Sequence, residues 1–198
     1  ELGKLGNPDF ELFFEAFQLT NHSLWEQFNR GLVDKDQLRA MRFKQVFTRA
    51  KLPVSKIPRD LEEEFIFRTS SKPKVMDQAF ETLDYLKTKY QLHIITNGFN
   101  QSQYNKLKSS KLDAYFDLIV TSENSGFRKP DKRIFEHTLV KLKANARQCL
   151  MIGDNPLSDI QGAQNAEIDQ VYYNPLNTKI TIQPTFTIKH LSELGNIL

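Results

Sequence analysis

Short apolar runs alternate with amphipathic stretches over the last two thirds of the chain. Apolar runs of strand length occupy residues 92–95, 118–121, 149–152, 170–173 and 185–188. Between and around them, apolar residues recur at helical spacing in residues 76–90, 101–109, 131–142 and 156–165,. Strands that alternate with helices predict a parallel sheet with right-handed crossovers, and therefore an α/β fold.

The first 72 residues show helical spacing only. Helices are predicted at residues 8–19, 21–30, 34–47 and 61–68,. Asp34, with Gln37 three residues later, is typical of a capping box at the start of the third helix,. The sequence Ser-Ser-Lys-Pro at residues 70–73 is typical of a linker,. We therefore expect two domains, a helical one at residues 1–72 and an α/β one at residues 73–198.

A Gly-Asp pair ends the apolar run at residues 149–152, and a second aspartate follows five positions later. Gly153 allows a tight turn, and Asp154 then lies at the carboxyl end of a strand, where open α/β sheets bind ligands. Asp159 falls in the first turn of the helix that begins near Pro156. Two carboxylates in one crevice suit Mg²⁺, although both could simply cap the helix.

The apolar run at residues 92–95 also ends in polar residues, namely Thr96, Asn97 and Gly98. The threonine hydroxyl and the two following backbone N–H groups could bind an anion, or the segment could only cap the next helix. Lys129 lies in a loop just before a predicted helix and offers a compact cation for phosphate,.

The ordered set of Thr96, Lys129 and the Gly153-Asp154 pair followed by Asp159 resembles the haloacid dehalogenase (HAD) superfamily, in its phosphatase branch. The resemblance implies a Rossmann-like parallel-sheet core with an inserted α-helical cap. It implies catalytic roles for Thr96, Lys129 and Asp154. It also implies substrate binding at residues 96–98 and at Lys129, and Mg²⁺ at Asp154 and Asp159, with Asp159 binding directly or through a water.

The first motif of the family, an apolar strand that ends in Asp-x-Asp-x-Thr and carries the nucleophile, is not found in the sequence. Asp34 and Asp36 follow only two apolar residues, and Leu38 stands where the threonine should be, so a helix start is favoured there,. We expect these 198 residues to be part of a longer polypeptide. The preceding strand would carry the aspartate pair and lie between the strands that end at Thr96 and Asp154.

The implied activity is hydrolysis of a phosphomonoester through an aspartyl-phosphate. The sequence Thr-Asn-Gly-Phe at residues 96–99 and the cap length resemble bacterial HAD 5′-nucleotidases that act on pyrimidine nucleotides. A nucleoside monophosphate or a similar small phosphorylated metabolite is therefore the expected substrate. The alternatives are a haloacid dehalogenase, a sugar-phosphate mutase and a non-catalytic binding protein on the same scaffold. The pair Asp154 and Asp159 argues against a dehalogenase, which needs no metal.

Composition excludes several other classes. Hydrophobic residues make up 39% and the net charge is only +3, too small to indicate a nucleic-acid partner. No apolar run reaches the roughly 20 residues needed to span a bilayer, so no membrane partner is expected. The single cysteine, Cys149, fits a small core residue and a reducing compartment,. We expect a cytoplasmic monomer or homodimer.

Overall fold

The structure, a computed structural model, describes residues 9–198. Its contacts divide the chain into two compact units, the first ending at Thr69 and the second comprising Ser70–Leu198. Among the described residues, each helix is too short or too polar to span a membrane. Helices in the first part of the chain are α1 (Phe10–Asn29), α2 (Lys35–Arg49), a 3₁₀ turn (Val54–Lys56) and α3 (Leu61–Ser70).

Helix α1 is a single helix of 20 residues where the sequence pattern predicts two. The predicted break near Thr20 is wrong because that residue is buried inside the helix and no glycine or proline interrupts the backbone,. The start predicted at Pro8 lies outside the described residues. The predicted end is confirmed, since the helix stops before Gly31, which has a positive φ of 74°,.

The predicted capping box at the start of α2 is confirmed. The Asp34 side chain accepts a hydrogen bond from the backbone of Gln37 at 2.8 Å, and the Gln37 side chain accepts one from the backbone of Asp34 at 2.9 Å. Asp36 lies in the first helical turn. The Asp-x-Asp sequence at these positions therefore begins a helix, as the sequence analysis favours.

Aromatic side chains form the core of the first unit. Phe43 and Phe47 of α2 are buried, and Phe13 and Phe17 of α1 pack against them. Phe65 of α3 meets Phe17 and Phe43 edge-on, with ring centroids 5.3 and 5.6 Å apart. This helical unit therefore has a hydrophobic core of its own.

The second unit alternates strands and helices. Its strands are β1 (His93–Thr96), β2 (Leu118–Thr121), β3 (Leu150–Gly153), β4 (Asp169–Tyr173) and β5 (Phe186–Ile188). Its helices are α4 (Ala79–Lys87), α5 (Asn100–Ser109), α6 (Ser122–Ser125), α7 (Lys132–Leu142) and α8 (Gly162–Asn165). Further turns are the 3₁₀ segments Asp113–Tyr115, Ala146–Gln148 and Leu191–Asn196 and the π-helical segment Pro156–Gln161, which leads directly into α8.

All five predicted strands are present, and each pairs in parallel. Their ends differ from the predicted ones by no more than one residue. Helix α4 begins after the predicted residue 76 because Gln78 has a left-handed backbone (φ 60°), which an α-helix does not tolerate in its interior,. It ends at Lys87, before the predicted residue 90. The four-residue helix α6, capped by Thr121, was not predicted.

The strands form two separate sheets, β1-β2 and β3-β4-β5. Among the described residues, β1 and β3 therefore each have a strand partner on one side only. A cavity of about 970 Å³ lies between them, lined by apolar residues that include Ile94 and Ile95 of β1 and Met151 and Ile152 of β3. These strand residues are only partly buried. The gap is at the place where the sequence analysis expects a further strand.

A polypeptide of residues 1–198 alone is expected to lack cooperative unfolding of the second unit. If the cavity between β1 and β3 is dry, the backbone groups that face it stay unpaired, and each buried group costs about 1–3 kcal/mol. The usual stability of a whole domain is only about 5–15 kcal/mol. If the cavity is hydrated, apolar side chains are exposed to water instead. Urea titration followed by circular dichroism measures the cooperativity of unfolding, and the first unit, which has its own core, is the internal control. Cooperative unfolding of both units, together with phosphatase turnover, would contradict the expectation.

Candidate active site

The side chain of Asp159 is the centre of the candidate site. One carboxylate oxygen, Oδ1, accepts hydrogen bonds from Lys129 Nζ at 2.7 Å and from Ser158 Oγ at 3.0 Å. The other, Oδ2, accepts from the backbone N–H groups of Asp154 at 3.1 Å and Asn155 at 3.0 Å. Asp159 is 5% exposed. Four donors therefore surround one buried carboxylate, about as many as its lone pairs can accept.

The turn after β3 brings Asp159 close to the strand. A Cβ atom at Gly153 would lie 2.5 Å from both Cβ and Oδ2 of Asp159, so only glycine fits there,. Asn155 starts the next helix, since its Oδ1 accepts from Leu157 N at 3.1 Å and Ser158 N at 2.8 Å. The strand end, the turn and the helix start are thereby held in one arrangement.

Lys129 is held at both its side chain and its backbone. It is 7% exposed, and its ammonium group pairs with Asp159. Its backbone N–H donates to Asn97 Oδ1 at 2.8 Å, and its carbonyl accepts from Asn97 Nδ2 at 2.8 Å. Ser122 Oγ in turn donates to the backbone carbonyl of Asn97 at 3.1 Å. The loop that carries Lys129 is thus joined, directly or through Asn97, to residues that follow β1, β2 and β3.

Thr96 is the last residue of β1 and is half-buried. Its hydroxyl oxygen accepts a hydrogen bond from the backbone N–H of Gly98 at 3.0 Å. The hydroxyl hydrogen remains able to donate to an anion, because a hydroxyl both donates and accepts. The Gly98 N–H, predicted to reach substrate, is directed at Thr96.

The structure therefore brings Lys129 and Asp159 into direct contact and joins them to Asn97 and to the backbone of Asp154. The sequence analysis did not predict roles for the side chains of Ser158 and Ser122. It assigned the backbone N–H of Asn97 to the anion, which stays a prediction, and it gave no role to the carboxamide, which contacts Lys129. Asn97 and Ser122 are polar residues directly after strands, and this position could have marked them as candidates. Their hydrogen-bond partners could not be predicted in the same way, because these depend on the tertiary fold.

Asp154 is exposed at the end of β3, and no described residue donates a hydrogen bond to its carboxylate. That group fits Mg²⁺, which takes oxygen ligands and keeps several waters. Asp159 has both oxygens engaged, which favours the water-mediated alternative for this residue. Within residues 9–198, no group of three or more histidine, cysteine or acidic side chains forms a metal cluster.

Cys149 precedes β3 and packs against the core formed by Val120 and Phe135. Burial raises the pKa of its thiol above the ordinary value, so the thiol stays protonated at neutral pH. A protonated thiol is a poor nucleophile, which agrees with the predicted role of Cys149 as a small core residue.

The chain belongs to the haloacid dehalogenase-like hydrolase family, which residues 15–172 match. It is 31% identical over 191 residues to the HAD-hydrolase YfnB of Bacillus subtilis, covering 92% of this chain and 78% of that protein. It is 32% identical over 188 residues to the pyrimidine 5′-nucleotidase YjjG of Escherichia coli, covering 93% and 82%. With the pyrimidine 5′-nucleotidase PynA of Streptococcus pneumoniae the identity is 28% over 197 residues, covering 98% and 82%.

The fold agrees with this assignment. The crystal structure of Bacillus subtilis YfnB, described as bound to magnesium, has a TM-score of 0.87 and 29% identity, covering 98% of this chain and 86% of that one. The predicted family and the predicted fold class, a Rossmann-like parallel-sheet core with a helical cap, are confirmed.

Asp159→Asn is expected to lower the free energy of unfolding of the natural full-length protein by about 3–5 kcal/mol, because the buried Lys129 ammonium loses its counter-charge. Urea denaturation measures the change. The control is Asp131→Asn, which weakens the exposed pair with Arg133 at 2.5 Å and should change stability by no more than about 1 kcal/mol. If the two substitutions lower the free energy of unfolding equally, the buried pair contributes no more to stability than the exposed one.

Proposed function

We propose that the protein is a Mg²⁺-dependent phosphomonoester hydrolase. The observation that supports this most is the buried Lys129–Asp159 pair. Lys129 is joined to Asn97, the residue that follows Thr96, and Asp159 accepts a hydrogen bond from the backbone N–H of Asp154. A hydroxyl, a cation and a carboxylate are thereby linked at the carboxyl ends of β1 and β3. These are the groups that phosphoryl transfer needs for positioning and charge neutralisation. The relatives named as nucleotidases favour a HAD-type phosphatase.

Each residue has a proposed role. The Thr96 hydroxyl donates to a phosphate oxygen, and Lys129 neutralises charge on the same group. Asp154 would hold Mg²⁺, with Asp159 fixing the turn behind it. The ion, when bound, neutralises charge on the phosphate. Family resemblance implies an aspartate nucleophile that displaces the alcohol from phosphorus, followed by hydrolysis of the aspartyl-phosphate by water. None of the described residues is assigned as that nucleophile.

The alternatives of the same superfamily make other demands. A haloacid dehalogenase needs no metal, so the exposed Asp154 carboxylate would have no ligand to bind. A sugar-phosphate mutase would use the same residues but would form an isomeric sugar phosphate, whereas a phosphatase releases inorganic phosphate. A non-catalytic binding protein would bind phosphate without turnover. Measured hydrolysis of a phosphomonoester therefore separates the proposed activity from all three.

In the natural full-length protein, Asp154→Asn is expected to reduce hydrolysis of p-nitrophenyl phosphate at least about a hundredfold, since even residues that only support a metal ligand contribute about 10–100-fold. Complete chelation by EDTA should abolish wild-type activity, and added Mg²⁺ should restore it. The control is Asp113→Asn at an exposed 3₁₀ turn, which should retain wild-type turnover. Wild-type activity that survives chelation would refute the metal dependence.

We further propose a nucleoside monophosphate as substrate. The support is the similarity to two proteins named pyrimidine 5′-nucleotidases over nearly the whole chain and the Thr-Asn-Gly-Phe sequence at residues 96–99.

A panel of phosphates is expected to rank pyrimidine nucleoside monophosphates above sugar phosphates by about tenfold or more in kcat/KM. Contacts to a base worth about 1–3 kcal/mol correspond to roughly that ratio. Release of inorganic phosphate is the measurement, and p-nitrophenyl phosphate serves as the reference for intrinsic turnover. Equal values for nucleotides and sugar phosphates would mean that the base is not recognised.

A further inference from the structure

We infer that Asn97 is a positioning residue for Lys129, and that its carboxamide sets where the lysine ammonium lies relative to Thr96. The inference rests on the proposed function, in which Thr96 and Lys129 both bind the phosphate. It gives Asn97 a task different from direct substrate contact.

The geometry of the contact is specific. The acceptor Oδ1 and the donor Nδ2 of Asn97 bind the N–H and the carbonyl of one residue, Lys129, both at 2.8 Å. A single hydrogen bond fixes a distance but leaves rotation about it. Two bonds between one planar amide and one residue also fix the direction in which the lysine side chain leaves the loop.

The surroundings make the contact hard to replace. Asn97 is 9% exposed and Lys129 is 7% exposed, so water has little access to the two bonds. The hydroxyl of Ser122, directly after β2, donates a hydrogen bond to the backbone carbonyl of Asn97 and so helps to fix the Asn97 backbone. A buried polar pair that loses one partner leaves the other unsatisfied, so the loop must shift when the carboxamide is removed.

The lysine is therefore fixed at two points. Asn97, next to Thr96, holds its backbone, and Asp159, behind β3, holds its ammonium group. The strands β1 and β3 belong to different sheets among the described residues. Lys129 thus connects the two strand ends, and Asn97 is the connection on the side of the phosphate-binding threonine.

Other residues could not do the same. An alanine side chain has neither donor nor acceptor, and a leucine has the same branched shape as asparagine without either. An aspartate would keep the acceptor for the lysine N–H but would set a carboxylate oxygen against the lysine carbonyl. A serine or threonine hydroxyl donates and accepts at a single atom, whereas an amide of this length provides its donor and its acceptor on two separate atoms.

The test is a double-mutant cycle on vanadate binding to the natural full-length protein, measured by isothermal titration calorimetry so that variants without turnover can be compared. Asn97→Ala is expected to raise the dissociation constant of vanadate about tenfold, and Lys129→Ala at least as much. In the Lys129→Ala background, Asn97→Ala should change the constant less than about twofold, because its effect passes through the lysine. A direct contact between Asn97 and phosphate would instead give the same factor in both backgrounds and overturn the inference.

Two further variants separate positioning from folding. Asn97→Leu keeps the number and branching of the side-chain heavy atoms and should reproduce the effect of alanine in a variant whose circular dichroism is unchanged. Asn124→Ala removes another amide that bridges two backbone groups, Thr121 N at 2.9 Å and Ile119 O at 3.0 Å. It should leave the vanadate constant within about twofold of wild type. An equal loss in Asn124→Ala would mean that any amide in this unit matters equally, and would refute the inference.

The wild-type protein distinguishes the two proposals. If it neither hydrolyses p-nitrophenyl phosphate nor binds vanadate, the phosphatase proposal fails and the inference fails with it. If the wild type and Lys129→Ala behave as expected while the Asn97 effects are independent of the lysine, only the inference fails.

Discussion

The buried ion pair between Lys129 and Asp159 determines the geometry of the candidate site. Both partners are almost completely removed from water, so their charges lose hydration that a single contact does not fully replace. The structure compensates with three more donors on Asp159, two of them backbone N–H groups of the turn after β3. Charge-assisted hydrogen bonds of this kind are stronger than neutral ones. The pair therefore fixes the turn and the helix start as well as the lysine.

The same contacts join the carboxyl ends of β1 and β3. Among the described residues these two strands belong to different sheets. Asn97 follows β1 and Asp159 follows β3, and Lys129 forms hydrogen bonds with both. The relative position of the two strand ends is therefore fixed by side-chain contacts as well as by backbone pairing within each sheet.

Local signals explain most of what the sequence predicts. The capping box of α2 and the strand ends follow from residues close in the chain, and so does the place of Asp154 after β3. The break predicted in α1 fails because the buried Thr20 continues an apolar face that sequence spacing alone did not resolve. The contacts of Asn97 with a residue 32 positions away and of Lys129 with one 30 positions away depend on tertiary packing. No local pattern specifies them, so only their residue types could be predicted.

The buried pair is compatible with phosphate binding because of the number of donors on an ammonium group. Lysine has three N–H donors, and Asp159 takes one of them at 2.7 Å. Because Asp159 holds one N–H and Asn97 holds the lysine backbone, the directions of the two remaining N–H groups are fixed as well. A phosphate oxygen that accepts one of them gains a cation that is already oriented, so little reorganisation accompanies binding or reaction. In the proposed site, the carboxylate would lower the net charge near the phosphate but fix the direction of the lysine donor, and a divalent cation at the exposed Asp154 would restore the positive charge.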